Sequence, residues 1–384
     1  MEVFLYITLN LVLLFTFFVV GKNAARTNHY FKAVFPAVLL FVLIQGSRYN
    51  RGNDYLHYVD VYLYDLEPGQ RAFTLFNDLL KSFDIGPFGF YYVYALVFIF
   101  CAFFFLKEYR KNASLIFPLF LMSFLMFHEF MIRQALGVSF VFIYFSALSK
   151  VGFCKNIKDI FSKRMLPSIF VCFCSALLAF SIHSANIIVI FLATIFYFCC
   201  RVTIPLIISI PGIILANYVL QYTFDFSLLE IPLSYLSSAD DKMAVYADNA
   251  DKWFSSSGFN AAYTRNPIVL VFEIYGCISL FYFGKKALSC ARYYALSNTF
   301  YNMFVVGYIC QGIFRQLELL SRMCFAISRF WFVPLSLVLI NYNKIVKKWY
   351  EKILFLGLLF WGYEYFKFIF YREHTPLFLW DKFF

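Results

Sequence analysis

Ionisable side chains of four kinds, those of arginine, aspartate, histidine and tyrosine, meet in residues 47–58, directly after a long apolar segment. Arg48 and Arg51 carry guanidinium groups, which bind phosphate or carboxylate in a planar, two-pronged geometry. Asp54 adds a carboxylate that could accept a proton from a hydroxyl group. The pattern predicts an anion-binding site with a base beside it. The alternative is that each arginine pairs only with an acid of its own loop.

A second polar cluster starts at His128 and ends with Arg133 and Gln134, between two further apolar segments. Charged groups so close to hydrocarbon are costly, and they are functional candidates for that reason. Arg133 and Gln134 are therefore predicted to bind substrate. The competing interpretation is structural, since Glu129 and Arg133 stand four residues apart and would form a weak ion pair on one helix.

A third polar position is His183, in a tight turn between two apolar segments. An imidazole there could exchange a proton with a hydroxyl group near neutral pH. It could equally be a polar residue at a membrane interface with no chemical role. His183 is kept as a catalytic candidate.

A fourth cluster contains three arginines spaced by seven residues, Arg315, Arg322 and Arg329. This spacing places them on one face of a helix if the helix is continuous. Arg329 falls about two turns inside an apolar segment, where an arginine needs an anionic partner. The candidate partners are Glu318, Glu273 and a bound phosphate.

The elements that must position these residues are membrane helices. Hydrophobic residues make up 62% of the 384 residues and charged residues only 14%, against about 45–50% and about 25% in soluble domains. Despite the net charge of +11, this excludes a water-soluble enzyme, a disordered tail and a nucleic-acid-binding protein. The sequence predicts an all-α polytopic membrane protein, one integral domain over residues 1–384 with about twelve spans. The spans are residues 3–20, 33–47, 89–106, 114–128, 134–149, 166–182, 184–200, 203–220, 266–284, 297–314, 323–341 and 353–370.

Lysine and arginine are distributed unevenly between the loops, and this predicts the orientation of the chain. The basic loops are expected on the cytoplasmic side, and the long loops 48–88 and 221–265 on the outer side together with both termini. Arginine outnumbers lysine on the predicted outer side, which favours a bound anion there. A short helix in the first long loop is predicted to lie on the outer leaflet. Its apolar side is formed by Phe73, Phe76, Leu80 and Phe83.

The second long loop combines six acids with Tyr246, Trp253 and Tyr263. Carboxylates accept hydrogen bonds from sugar hydroxyls and rings stack on sugar faces, so the loop suits carbohydrate; a solvated acidic loop is the alternative. None of the ten cysteines lies in a long outer loop, which excludes a disulfide framework there. No metal site is expected.

Several short motifs follow one another along the chain: Arg48, Gly52-x-Asp54-Tyr55 with Tyr58, Glu67-Pro68-Gly69, Arg133-Gln134, Ile182-His183-Ser184, and Arg322 and Arg329 near Pro334. In this order they resemble the EpsG/Wzy type of bacterial polysaccharide polymerase. The resemblance covers most of the chain, and its specificity lies in the order of the motifs. Asn53 departs from the pattern, where a small hydroxyl residue is common, and Gln70 stands where an aromatic residue is expected.

The resemblance implies a GT-C-like glycosyltransferase of the bacterial inner membrane with its active site facing the periplasm. It would join oligosaccharide repeat units, with donor and acceptor both carried on undecaprenyl pyrophosphate among the membrane lipids. No cofactor, metal or nucleic acid is expected, and a chain-length regulator could bind. The candidate bases are Asp54, Glu67 and His183. The residues expected to bind pyrophosphate or glycan are Arg48, Arg51, Arg133, Gln134, Arg315, Arg322 and Arg329.

Three other functions stay open from the sequence. One is an O-antigen ligase or another transferase of lipid-linked sugars, which would share the fold and the arginines. Another is a flippase or transporter, which would need charges around a midplane cavity and repeated halves. Here the polar residues cluster at one face and no repeat is visible. The last is a non-catalytic scaffold, which would not need arginines at membrane depth.

Overall fold

The three-dimensional structure is a computed structural model. It describes residues 2–52, 54–64, 71–151, 165–198, 202–221, 266–290, 296–315, 318–370 and 377–379. Glu67 and the acids and aromatic residues of the second long loop lie outside the described residues.

Apolar runs become helices because a helix satisfies its own backbone hydrogen bonds, which hydrocarbon cannot do. Within the described ranges every regular element is helical, and one extended contact pairs Arg48 with Phe378. The first half contains α1 (Glu2–Arg26), α2 (Tyr30–Gly46), α3 (Tyr55–Tyr64), α4 (Arg71–Ser82), α5 (Gly89–Leu106), a 3₁₀ turn (Lys107–Asn112), α6 (Ala113–Phe130) and α7 (Ile132–Val151). Then come α8 (Leu166–Ile182), α9 (Asn186–Phe198), α10 (Leu206–Leu215) with a π turn (Ala216–Leu220), α11 (Pro267–Cys290) and α12 (Ser297–Ile313). The last elements are α13 (Glu318–Ser328), a 3₁₀ turn (Arg329–Trp331), α14 (Phe332–Ile340), α15 (Tyr342–Ile345), α16 (Trp349–Phe355), a 3₁₀ turn (Leu356–Leu358) and α17 (Leu359–Phe370).

The predicted spans all fall on these helices or helical runs. Among the described residues, six helical runs are long and apolar enough to cross a membrane, and four apolar helices are shorter. The chain is therefore a helical membrane protein, while the count of twelve spans stays a prediction. The two tight turns are confirmed: one residue separates α6 from α7, and three residues separate α8 from α9.

Phenylalanine rings pack the core between α6, α7, α12 and the α13–α14 run. The ring of Phe124 lies 5.3 Å from that of Phe142 and 5.5 Å from that of Phe330. Phe300 stacks on Phe330 at 5.0 Å. Such ring pairs contribute about 0.5–1.5 kcal/mol each beyond the area they bury. The packing fixes α7 relative to α13, and both helices line the cavity described below.

The two ends of the described chain meet the start of the first long loop. The backbone N–H of Tyr49 donates to the Leu377 carbonyl at 3.0 Å, and that of Leu379 donates to the Ser47 carbonyl at 2.9 Å. The N–H of Leu377 donates to the Glu2 carboxylate at 3.0 Å. The start of α1, the end of α2 and residues 377–379 therefore lie at one end of the helical bundle.

The amphipathic helix predicted in the first long loop is α4, but its apolar face packs on protein rather than on lipid. Phe73 and Leu80 are buried. The Phe76 ring stacks on that of Tyr94 in α5 at 5.7 Å. Phe83 lies beyond the end of α4 and is exposed. Phe73, Phe76 and Leu80 therefore contact protein, and the placement of α4 on the outer leaflet stays a prediction.

Candidate functional site

A cavity of about 200 Å³ lies where four separate parts of the chain meet. They are the start of α3, the junction of α6 and α7, the turn between α8 and α9, and the middle of α13. The lining combines guanidinium, carboxylate, imidazole, phenol and amide groups with two thioethers. The residues are Asp54, His57, Tyr58, Met131, Arg133, Gln134, His183, Ala185, Arg322 and Met323.

The first turn of α3 supplies three of the lining residues. Asp54 directly precedes the helix, and its carbonyl accepts the backbone N–H of Tyr58 at 3.0 Å. Asp54, His57 and Tyr58 stand at positions i, i+3 and i+4, so they share one face of this turn. The N-terminus of a helix carries a partial positive charge, which stabilises a carboxylate placed there.

Gly52 fixes the loop that leads into α3. Its φ of 101° lies in the region that favours glycine. A Cβ at this position would lie 2.3 Å from the backbone carbonyl oxygen of Glu129, near the end of α6. A residue with a side chain could not approach so closely. Gly52 therefore lets the loop with Asp54 reach the junction of α6 and α7.

A second glycine brings the turn between α8 and α9 onto α7. A Cβ at Gly137 would lie 2.0 Å from the side-chain nitrogen of Asn186 and 3.1 Å from the Ala179 carbonyl oxygen. The Asn186 side chain donates to the backbone carbonyls of Gln134 and Ala179, each at 3.4 Å. These contacts hold His183, in the same turn, against the first turn of α7.

The ion pair between Arg322 and Asp54 in the cavity is long and partly exposed. Arg322 Nη1 and Asp54 Oδ2 are 3.9 Å apart, and the two side chains are 42% and 35% exposed. The guanidinium of Arg133 lies 5.8 Å from the centre of the Phe73 ring. A partly exposed ion pair contributes about 0–1 kcal/mol. Among the described residues, the lining contains two guanidinium groups and one carboxylate.

Arg48, a predicted anion-binding residue, is not among the residues that line this cavity. It is fully buried, donates to the His128 carbonyl at 3.1 Å, and lies 4.6 Å from the centre of the Tyr91 ring. Tyr55 donates to the Arg48 carbonyl at 2.9 Å, and Tyr91 donates to the Tyr55 carbonyl at 2.7 Å. Burial raises the pKa of the Tyr55 phenol, so it remains a protonated donor. Through these contacts Arg48 connects the end of α6 to the start of α3 and to α5.

Arg51 also lies outside the cavity lining. It forms an ion pair with Glu129 at 3.3 Å in which both side chains are fully buried. The Tyr6 hydroxyl donates to the same carboxylate at 3.0 Å, and the Tyr6 and Phe378 rings each lie 5.1 Å from the guanidinium. Glu129 and Arg133 do not lie on one helix, because α6 ends between the two residues, so the ion pair expected from their spacing within a helix does not apply.

Arg315 contacts two side chains that are not part of the described cavity lining. It forms an ion pair with Glu273 of α11 at 3.0 Å and donates to the side chain of Asn217 at 2.8 Å. The sequence placed Arg315 and Arg322 on one face only if one helix continued between them. That condition is not met, because α12 ends at Ile313, before Arg315. Glu273, which the sequence offered as a candidate partner of Arg329, forms this ion pair with Arg315.

Arg329 and Glu67 are the two remaining predicted site residues. Arg329 is buried, and its guanidinium lies 3.6 Å above the Phe325 ring. It is not among the lining residues. Glu67, a predicted base, lies outside the described residues, so its position relative to the cavity stays a prediction.

His57 and Tyr58 line the cavity although neither was predicted as a site residue. Their signal in the sequence is the spacing from Asp54, which puts all three on one helix face. Met131 and Met323 were also missed, because a methionine in an apolar run has no distinguishing pattern. The thioethers give the cavity a soft apolar side.

This set of side chains suits anion binding and proton transfer. Two guanidinium groups can hold phosphate oxygens, and Asp54 or His183 can accept a proton from a bound hydroxyl group. In the part of the chain that the structure describes, no group of three or more His, Cys, Asp or Glu side chains could hold a metal ion.

The sequence was compared with known families and proteins. A model of the EpsG family matches residues 31–379, a range that includes every described residue of the cavity lining. No curated protein and no solved structure matches the chain.

Proposed function

This chain belongs to the EpsG family, and from that premise we propose that it polymerises polysaccharide at the periplasmic face of the bacterial inner membrane. Its substrates are oligosaccharide repeat units carried on undecaprenyl pyrophosphate. One lipid-linked unit serves as the donor and the other as the acceptor. Membership of the family indicates a polysaccharide polymerase-type membrane protein. The substrates and the side of the membrane are proposed here.

One observation carries this proposal: the cavity brings Arg133 and Arg322 together with Asp54 and His183. These residues come from four elements that are far apart in the sequence. A lipid diphosphate needs cationic partners, and glycosyl transfer to a hydroxyl needs a proton acceptor. A cavity of about 200 Å³ holds only the reacting ends, because sites for whole drug-sized ligands have about 300–1,000 Å³. The rest of each glycan would extend from the cavity.

The reaction forms one bond and breaks one. The hydroxyl oxygen of the acceptor sugar attacks the anomeric carbon of the donor, and a base takes the hydroxyl proton. The bond between the anomeric carbon and the phosphate oxygen breaks, and its electron pair leaves with undecaprenyl pyrophosphate. Arg133 and Arg322 stabilise the negative charge that develops on that leaving group.

Asp54 and His183 are the described candidates for the base. Both line the cavity, and Asp54 adjoins the arginine that would hold the leaving group. We assign the base to Asp54 because of this position next to Arg322. A carboxylate there would lie close to the reacting carbon and could face the acceptor hydroxyl that attacks it. His183 would then orient the acceptor, and Glu67 is a third candidate outside the described residues.

We propose that the reaction needs no metal ion, because two guanidinium groups can neutralise a diphosphate. The measurement is polymer formation by purified protein from lipid-linked repeat units, with and without EDTA. Equal product in both is the expected result. Activity that disappears with EDTA and returns with Mg²⁺ would contradict this part of the proposal.

The function is tested by the glycan ladder of a strain that lacks the gene. Wild type is expected to restore a ladder of many lengths, whereas Arg322→Ala and Asp54→Ala leave single repeat units. The matched controls are Arg71→Ala and Asp60→Asn, which change exposed charged residues outside the cavity lining. Both controls are expected to retain the ladder, and membrane abundance is measured for every variant.

Three outcomes would contradict the proposal in different ways. Full ladders from both cavity variants would remove the assigned site. If cells without the gene make no outer-face repeat unit at all, a flippase would explain the result better. If they polymerise normally but fail to attach the chains to their final acceptor, the protein would be a ligase.

A further inference from the structure

Asp54 and Arg322 face each other across the cavity from two different elements, the start of α3 and the middle of α13. We propose that this pair is an exchangeable contact: Asp54 holds Arg322 in the substrate-free protein, and the donor's diphosphate takes Arg322 away from it. Donor binding then frees the carboxylate to receive the acceptor's proton. The inference rests on the proposed function and adds an order of events to it.

The geometry of the pair is that of a weak contact. Its nitrogen and oxygen are 3.9 Å apart, whereas charge-assisted hydrogen bonds of this type are about 2.7–2.9 Å long. Both side chains are more than one third exposed, so water screens their attraction. A diphosphate offers more negative charge and more acceptor oxygens than one carboxylate. It therefore competes well for the same guanidinium.

Two other arginine–carboxylate pairs in the described residues show what a fixed pair looks like. Arg51 and Glu129 are fully buried, and the Tyr6 hydroxyl also donates to that carboxylate. Arg315 contacts Glu273 at 3.0 Å and has a second partner in an amide side chain. Breaking either pair would leave a charge buried without its partner, which is costly. The cavity pair carries no such penalty, because water or substrate can replace either group.

The exchange gives the reaction an order. While Asp54 is paired, its Oδ2 faces Arg322, and the charge of the carboxylate is partly neutralised by the guanidinium. Once the diphosphate holds Arg322, the carboxylate is released within the same cavity as the reacting carbon. The base is thus presented only when the donor is in place.

The test is a double-mutant cycle for binding, with purified protein in lipid nanodiscs and farnesyl diphosphate as a soluble lipid diphosphate. Asp54→Asn removes the competing charge and is expected to tighten binding up to about fivefold, which corresponds to about 1 kcal/mol. Arg322→Ala is expected to weaken binding about tenfold. In the Arg322→Ala background, Asp54→Asn should no longer tighten binding.

Asp60→Asn is the matched control, since it removes an exposed carboxylate from α3 outside the cavity lining. Its affinity should equal that of wild type, and melting temperatures show that each variant is folded. Arg322→Lys, which keeps the charge, should bind better than Arg322→Ala.

The results that would overturn the exchange are distinct from those that would overturn the function. Asp54→Asn with unchanged or weaker binding, beside a weakened Arg322→Ala, would remove the exchange and leave the polymerase site intact. Equal tightening by Asp54→Asn in both backgrounds would show a general charge effect and would also remove the exchange. If Arg322→Ala binds as tightly as wild type, the diphosphate does not use this cavity, and both proposals fail.

Discussion

Arg51 and Arg322 both come from predicted outer-face clusters and both contact a carboxylate, but their surroundings differ. The Arg51–Glu129 pair is fully buried between aromatic rings, with the Tyr6 hydroxyl as a further donor to the carboxylate. Arg322 lies in a cavity with its side chain 42% exposed. A buried pair stabilises one arrangement of the chain, whereas an exposed one can change partners. The same residue type therefore has a structural role in one place and a proposed binding role in the other.

This difference gives a prediction for stability at the residue scale. Arg51→Met leaves the Glu129 carboxylate buried without its cation, which is expected to lower the free energy of unfolding by about 3–5 kcal/mol. The double variant Arg51→Met/Glu129→Leu removes both charges and should lose less than the single variant. The measurement is thermal unfolding of the purified protein in detergent, with Arg322→Met as the control that keeps the wild-type melting temperature. An Arg51→Met protein that melts like wild type but makes no polymer would instead place Arg51 on the substrate.

Five of the predicted site residues, Asp54, Arg133, Gln134, His183 and Arg322, line one cavity. Their roles in binding or catalysis stay predictions. The sequence could not show that Arg48 and Arg51 are enclosed by protein, because their partners are distant along the chain: Glu129 is 78 residues from Arg51. The pairing of Arg315 across 42 residues was hidden for the same reason. Helices were easier to predict, because each apolar run shows its own pattern locally.

At the scale of elements, the cavity depends on how closely loops approach helix ends. The start of α3 reaches the junction of α6 and α7 through Gly52, and the turn between α8 and α9 reaches α7 through Gly137. The aromatic packing of Phe124, Phe142, Phe300 and Phe330 connects α6, α7 and α12 to the 3₁₀ turn that follows α13. The elements that carry the lining residues are thus placed by contacts with residues outside the lining. Substitutions that never touch substrate can therefore disturb the site.

The element-scale prediction concerns Gly52. Gly52→Ala puts a Cβ 2.3 Å from the Glu129 carbonyl oxygen at a φ that side chains rarely adopt, which is expected to cost about 1–3 kcal/mol. The loop with Asp54 must shift, so polymer should shorten even where the protein remains in the membrane. Gly86→Ala is the control, because a Cβ there meets no atom within 4 Å. Glycan gels and membrane abundance are measured together; a full ladder from Gly52→Ala would show that the loop does not position the base.

At the scale of the whole molecule, the contact between the chain ends limits the possible topologies. Residues 377–379 pair with Ser47 and Tyr49, and Glu2 accepts a hydrogen bond from Leu377. From these contacts we predict that Glu2, residues 47–49 and residues 377–379 lie on one side of the membrane, whatever the number of spans. The contacts indicate a shared side, and the lysine and arginine distribution predicts which side it is.

The last prediction tests that sidedness and with it the face on which the cavity opens. Alkaline phosphatase fused after residue 384 or within loop 48–88 is expected to be active, since this enzyme folds only outside the cytoplasm. A fusion within residues 152–164, which carry several lysines, should be inactive, and fluorescent-protein fusions at the same points should show the reverse pattern. Opposite results for residue 384 and loop 48–88 would contradict the contact between residues 377–379 and residues 47–49. Two inactive phosphatase fusions would be consistent with that contact but would place the cavity on the cytoplasmic face. The lipid-linked donor would then have to react before it crosses the membrane.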